Sequence, residues 1–475
     1  MAVTGSVRLE ESQQARVGPL LSLIGGLHVL VLAWAILTQS YNVWGGVVVA
    51  CFVALICYPL LVRLSRSDVD PWVRRVLILG FAAKQVGSGI RYYVVTTVLG
   101  GDALKYHEAG SEISPFIRAR DFGAPEFVSW VPDITGTTTL RIITGVVYIF
   151  VGTARYAGFV VFATFAFWGA YLMFRAFQMA VPDGLHRRYA LLVFFAPTLL
   201  FWPSSTGKDA WMILMIGIVV HGAVRIFLLA PGGYALVSVG LAGSAVIRVH
   251  LTVILLGAAV LGYLLARRPR HAKGKLRGFF RGFITIGFVL GAIVFTATQA
   301  QSFFDEIGGG TVSGTLEETT RRSSTGGSEF TPSPVTSPTG LPVAIATVLF
   351  RPFPQEAHNV AARFTSLEGL VLMGLSVLST RRLLRLPLEM RDSPLVGLAV
   401  VYSALFIVAF STLGNFGILA RQRSQLYPIF FVLLALPKRI SKRKLRAQER
   451  ARKEEQEALQ LLAPDRDFAR VEVMR

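Results

Sequence analysis

Cysteine is nearly absent: 475 residues carry only Cys51 and Cys57, both in one apolar run. That excludes a disulfide framework and a thiolate zinc cluster, each of which needs more sulfur at set spacings. The two read as buried thiols. Charge is also scarce, at 16% Asp, Glu, Lys and Arg, where a water-facing domain averages about 25%. There is no Walker A sequence and no Gly-rich dinucleotide fingerprint after a strand; Gly308-Gly309-Gly310 is loop composition alone. His107 and His358 have no second histidine three or four residues on, so no metal site and no cofactor is expected. No polar stretch is long enough to hold a soluble nucleotide-sugar domain.

Hydrophobic sequence is what the chain has in excess, at 53% of residues and a mean hydropathy of +0.55. Apolar runs bounded by charge, Pro or Gly recur about a dozen times, several reaching the ~20 residues that cross a bilayer. The expected fold is all-α, a polytopic transmembrane helical bundle of about 12 spans. Lys and Arg number 48 against 28 Asp and Glu, a net charge of +20. These cations cluster on alternate loops between apolar runs, the pattern of cytoplasmic retention. Membrane lipids are therefore expected partners, and nucleic acid is not.

The same rule orders the chain. Residues 1–16 hold Arg8, Glu10, Glu11 and Arg16 and are followed by no small-residue cleavage site, so they read as a cytoplasmic N-terminus rather than a signal peptide. Spans at 17–37 and 43–61 precede a basic loop with Arg63, Arg66, Arg74 and Arg75, which belongs inside. Span 76–99 then carries the polar run Gly100-Gly101-Asp102-Ala103-Leu104-Lys105-Tyr106-His107-Glu108 out into a loop, 100–139. Residues 140–153 are short for a span and read as an interfacial or re-entrant helix. Span 156–174 returns inward. Span 189–202 goes out to the polar turn Pro203-Ser204-Ser205-Thr206-Gly207-Lys208-Asp209, and 211–229 comes back. Segments 234–247 and 251–265 form a short pair around Arg248-Val249-His250. The loop 267–281 is the most basic internal one, and 283–297 leads to the second large outer insertion, 299–364. That insertion is rich in Gly, Ser, Thr and Pro over 308–339 and ends in apolar 341–350 with Arg351-Pro352-Phe353-Pro354. Spans 365–378, 395–413 and 426–436 complete a bundle over 17–437, with both termini cytoplasmic. The 438–475 tail reads as a charged helix with i,i+4 pairs, its basic half suited to anionic headgroups.

Ionisable groups in or beside spans are costly and mark function. The outer side collects Asp102, Lys105, His107, Glu108, Lys208, Asp209, Arg248, His250, Arg351, Glu356, His358, Arg363, Arg421 and Arg423. Arg91 lies about two and a half helical turns below Gly100 and faces the bundle. Guanidinium groups grip phosphate bidentately and keep their charge. A nearby carboxylate accepts a proton from a sugar hydroxyl. Glycosyl transfer from a lipid pyrophosphate uses both, with the arginines stabilising the leaving group. The candidate catalytic residues are Asp102, Lys208, Asp209 and Arg421. The candidate substrate-binding residues are Arg91, Tyr106, Arg248, His250, Arg351, Arg363 and Arg423. Each has a plainer alternative: Asp102 as a helix N-cap, Lys208-Asp209 as an interfacial ion pair, Arg248-Val249-His250 as a hairpin turn, and Arg351 as a headgroup anchor. For Arg421 and Arg423 it is structural anchoring. Lys84, inside span 76–99, is expected only to find a partner within the bundle.

Arg91, Gly101-Asp102 and Tyr106, the polar turn at 203–209, the Arg248-Val249-His250 turn, and Arg421-Gln422-Arg423-Ser424-Gln425-Leu426-Tyr427-Pro428 before the last span together resemble bacterial exopolysaccharide and O-antigen polymerases of the EpsG/Wzy type. The likeness covers residues 76–437. It implies polymerisation of undecaprenyl-pyrophosphate-linked repeat units at the outer face of the bacterial plasma membrane, with polysaccharide-export or chain-length proteins as partners. Lys208-Asp209 stands where such proteins more often carry arginine. The tail and the Ser/Thr-rich insertion are additions. These departures leave open a GT-C glycosyltransferase with a polyprenyl-phosphate-sugar donor and Asp102 as base. A lipid-linked sugar flippase would instead show a polar midplane cavity and related halves. A scaffold working through its tail is the third class.

Overall fold

The computed structural model describes residues 26, 29–68, 70–132, 136–266, 329–332, 335 and 338–437. These residues are helical throughout, apart from connecting turns and one isolated bridge between Glu329 and Asn415. The expectations for the N-terminus, the start of the first span, the basic loop at 267–281, the span at 283–297, most of the Ser/Thr-rich insertion and the tail lie outside the described residues.

Helices α1 (Val29–Thr38) and α2 (Tyr41–Leu64) come first, followed by α3 (Pro71–Val94). Asp70 starts α3: its carboxylate accepts the Trp72 N–H at 3.0 Å, and Pro71 occupies the first helical position. A π turn, Val95–Leu99, carries α3 to its end. Gly100 and Gly101 then take φ of +60° and +103°, values that a side chain would strain, and reverse the chain into α4 (Asp102–Ala119). The loop expected over 100–139 is thus mostly helix: α4, then α5 (Pro125–Trp130), with α6 (Gly136–Val151) beginning inside it. Helix α6 packs along α4, where Gly145 meets the Ile113 side chain.

The centre is α7 (Arg155–Ala180) against α10 (Lys208–Phe227). Their apolar windows are 78% and 61% buried, against 17% for α2 and 22% for α14 (Val360–Leu378); the first pair makes the core, and the second presents apolar surface outward. By length and composition these four helices are able to cross a membrane. Exposed Phe52, Leu55 and Ile56 on α2, and Phe364, Leu367 and Val371 on α14, are the faces that lipid tails suit. Backbones touch at the α7–α10 crossing: a Cβ on Gly217 would sit 2.3 Å from the Gly169 carbonyl oxygen. Small residues permit such close approach, which drives helix association where lipid removes the hydrophobic gain.

Two spans differ from expectation. The run at 189–202 is broken into α8 (His186–Phe195) and α9 (Pro197–Phe201), because Pro197 donates no hydrogen bond and pushes Ala196 out of the helical region, to ψ 128°. The last span begins ten residues early. After α11 (Gly233–Ala245), α12 (Val249–Leu265), α13 (Leu341–Phe350), α14, α15 (Thr380–Leu383), α16 (Leu386–Asp392) and α17 (Pro394–Phe410), helix α18 runs over Phe416–Leu434. Its cap is Asn415, whose side-chain Oδ1 accepts the Gly417 and Ile418 N–H groups at 2.9 and 3.1 Å. Arg421 and Arg423 therefore sit on a helix and not in the lead-in to one.

Gly217→Ile forces α7 and α10 apart. We expect it to cost at least the ~1–3 kcal/mol of an overpacked core, read as a large loss of folded protein in membranes and a lower detergent melting temperature, while Gly257→Ile, whose added Cβ meets nothing, stays near wild type.

Candidate functional site

Asp209 is the hub. It occupies the first turn of α10, is 5% exposed, and accepts the Arg421 Nε–H at 2.5 Å on one oxygen. Its other oxygen takes Arg248 Nη2 at 2.9 Å and Gln425 Nε2 at 3.4 Å. Arg248 sits in the turn between α11 and α12 and also donates from Nη1 to the Gln422 side-chain oxygen at 3.0 Å. Arg421 reaches past Asp209 to Asp102, at 3.3 Å from Nη1. One carboxylate thus ties α10 to α18 and to the α11–α12 turn, and one guanidinium adds α4.

Around this core stand Tyr106, Lys208 and Arg91. Lys208 Nζ donates to Thr137 on α6 at 2.8 Å. The Tyr106 hydroxyl lies beside Thr137, within reach of the charges of Asp102, Arg421 and Arg248. Burial, and then the Asp102 charge, push its phenol above the ordinary value, so it stays a neutral donor. The Arg91 guanidinium stacks over Phe201 and Trp202 at 4.5 and 4.7 Å. It feels the charges of Asp209 and Arg421, yet its buried Nε and Nη1 have no hydrogen-bond acceptor among the described residues.

The Asp102 alternative is decided by geometry. Asp102 is the first residue of α4, and the cap position is Gly101, which makes no side-chain cap bond; the carboxylate turns to Arg421 instead. Its side chain is 54% exposed, against 7% for Asp209. The two acids therefore differ: Asp209 is buried with its oxygens filled, while Asp102 is open and lightly held. Lys208-Asp209 is no isolated interfacial pair, because each residue bonds elsewhere.

Three expected arginines do not join. Arg423 lies two residues from Arg421, about 200° around a helix, and points to α13. It is fully buried, and donates to the Val348 and Thr347 carbonyls at 2.5 and 2.9 Å. Tyr427 adds the Leu349 carbonyl at 2.8 Å, so the two residues satisfy the orphan carbonyls that end α13. Arg351 pairs with Glu356 at 3.0 Å and stacks over Phe330 and Phe416. Burial works against the Glu356 carboxylate, but hydrogen bonds from Arg351 and the Phe353 N–H outweigh it and hold the carboxyl below its usual value. Arg363 is exposed on the first turn of α14. His250 lies two residues after Arg248, on α12, and its ring packs 6.4 Å from that of Phe410.

Gln422, Gln425 and Thr137 belong to the site and were not anticipated. Gln425 is four residues after Arg421, one helical turn, so the signal was available once α18 was known to start at Phe416. Thr137 carried no signal in a Gly-Thr-Thr-Thr run. Among the described residues no group of His, Cys, Asp and Glu is arranged to hold a metal ion. Compared with known family models, curated proteins and solved structures, the chain matches none.

Asp209→Ala leaves Arg248 buried without its carboxylate, a change that costs on the order of 3–5 kcal/mol. We expect that variant to be lost from membranes or to melt far lower, whereas Asp102→Ala, at an exposed carboxylate, melts within a degree or two of wild type. Equal melting temperatures for the two would show that Asp209 is not the organiser. A pH effect has the opposite origin. Burial, with Arg155 nearby, pushes His107 down to about 4, below the ~6.5 of an unfolded histidine. Its contribution to stability is present above pH ~6.5 and is lost as pH falls towards 4. His107→Gln should flatten that part of the acid-unfolding curve.

Proposed function

We propose that this protein is a multi-pass membrane glycosyltransferase that joins polyprenyl-pyrophosphate-linked oligosaccharide units at the outer face of the bacterial plasma membrane, a repeat-unit polymerase. The observation that carries the reading is the charge balance of the site. Arg91, Lys208, Arg248 and Arg421 face Asp102 and Asp209, an excess of two positive charges. A pyrophosphate diester carries two negative charges. Arg91 holds unfilled donors, which a phosphate oxygen accepts at full strength because guanidinium–phosphate bonds are charge-assisted.

In this reading an acceptor-sugar hydroxyl oxygen attacks the anomeric carbon of the donor unit. The bond from that carbon to the phosphate oxygen breaks, and its electron pair leaves with the polyprenyl pyrophosphate. Asp102, the open carboxylate, takes the hydroxyl proton. Arg91, Arg421 and Lys208 meet the charge that grows on the departing pyrophosphate. Asp209 keeps Arg421 and Arg248 aimed, and Tyr106 orients a sugar or phosphate oxygen by its neutral hydroxyl. A polyprenyl-phosphate-sugar donor, as in GT-C enzymes, would bring less negative charge to the same residues.

A transporter of lipid-linked sugar has one feature in its favour. The short helix α9 lies between opposite buried charges: Glu368 accepts the Thr198 N–H at 3.0 Å and the Thr198 hydroxyl at its start, and Lys84 donates to the Leu199 carbonyl at 2.6 Å. Interrupted helices line transport sites. Purified protein in detergent micelles separates the readings, since micelles have no two sides to transport between. Given lipid-linked repeat units, the enzyme makes dimers and longer glycans, and Asp102→Asn lowers that rate by roughly 10²–10⁴-fold, the usual worth of a general base, at unchanged protein level. Absence of any elongation by the wild-type protein overturns the polymerase reading.

A further inference from the structure

A second feature lies farther along α4, outside the charged cluster. A cleft of about 510 Å³ is bounded by Tyr41, Ser114, Arg118, Tyr148 and Thr153, with Gly152 at its base. Two other cavities enclose only about 20 and 40 Å³, the scale of single waters. This one falls in the range of small-molecule sites. It sits at the same end of the bundle as the charged cluster, since α2 begins at Tyr41 where antiparallel α3 ends. One hydrogen bond links its wall to the same helix: the Tyr148 hydroxyl is 2.9 Å from His107 Nδ1, and His107 follows Tyr106 on α4.

The lining describes its ligand. Among the described residues that line the cleft, Arg118 is the one with a charge and none is a carboxylate. One of its nitrogens donates to the Ile149 carbonyl at 3.2 Å, which fixes the planar group and leaves other N–H donors to use. Thr153 supplies a hydroxyl, Ser114, whose hydroxyl donates to the Ser111 carbonyl at 3.3 Å, supplies an acceptor oxygen, and Tyr41, 45% exposed, supplies a rigid amphipathic face. A phosphate would call for several cations, as in the cluster around Asp209. A lipid tail would call for a wall without polar groups. Hydroxyl oxygens, one planar donor and one tyrosine face are the set that a neutral polyhydroxylated molecule satisfies.

We infer that this cleft binds saccharide units of the growing glycan beyond the one that reacts. The inference rests on the polymerase reading and adds a place for the product chain. With sugars held along α4, a long acceptor stays near Asp102 between additions, whereas the joining of two single units does not need the cleft.

The test uses a strain deleted for this protein and complemented with the full chain carrying Tyr41→Ala, Arg118→Ala or Ala119→Trp, the last filling the cleft while removing no contact. Surface polysaccharide is resolved as a ladder, and protein level in membranes is measured alongside. We expect each variant to release the chain early, weakening retention by roughly tenfold as aromatic and hydrogen-bond contacts are lost, so that the ladder shifts to short chains while dimers form at the wild-type rate. A wild-type ladder from all three variants at normal level overturns the cleft and leaves the polymerase standing. Loss of dimers together with long chains also overturns it, because the residues would then act on the reaction itself. A deletion strain with unchanged polysaccharide overturns the polymerase reading and the cleft with it.

Discussion

The bond between Asp209 and Arg421, shared with Arg248, is the contact on which the charged end of this bundle depends. A carboxylate 5% exposed survives in such surroundings only when its lone pairs are filled, and two guanidinium groups and an amide fill them. Each partner arrives from a different part of the chain: α10, α18 and the turn before α12. The arginines in turn are fixed in direction by an acid whose oxygens are already filled. A reactive site needs groups held within a fraction of an ångström, and a saturated buried acid is a means of holding them. Asp102 can then be left open, because Arg421 is already aimed.

A second layer of buried charge supports the first from below. Proline breaks the chain at Ala196, and the short helix that follows is held by two buried side chains, Glu368 on Thr198 at its start and Lys84 on the carbonyl of Leu199 at its middle. The same short helix places Phe201 and Trp202 over Arg91. Arg423, the other buried guanidinium of α18, closes the end of α13. Helix ends inside an apolar bundle have no water to satisfy them, so charged side chains that read in sequence as candidates for substrate are used to finish the backbone.

How far the sequence carried depended on the kind of inference. Apolar runs located the helical regions well, since hydrophobic length is a local property: α2, α3, α7, α10, α12 and α14 all lie close to where hydropathy put them. Boundaries failed where polar residues sit inside a helix. The run from Phe416 to Gln425 carries two arginines and two glutamines, and hydropathy excluded it from the last span, although Asn415 is an ordinary N-cap. That shift of ten residues separated Arg421 from Arg423. Residues two apart are neighbours in a loop and nearly opposite on a helix, so a set of converging arginines became one site residue and one structural residue. Similarly, the polar run after Gly100 has the composition of a loop, while its regular return of buried Tyr106, Ala109, Gly110 and Ile113 is the stripe of a helix packed on α6.

By itself the sequence determined the class of this protein: an all-helical chain with spans for a membrane, few charges, and those charges gathered beside the apolar runs. It also determined the chemistry on offer, rich in carboxylate and guanidinium and poor in sulfur, because composition is independent of folding. Only the tertiary structure decided who meets whom. Asp102, Asp209, Arg248 and Arg421 are up to 319 positions apart, and their meeting follows from which helices pack and how each is rotated. Helix rotation is set by backbone contacts such as Gly169 on Gly217 and by caps such as Asn415, and a rotation of about 100° per residue is enough to turn a ligand-facing arginine into a strut.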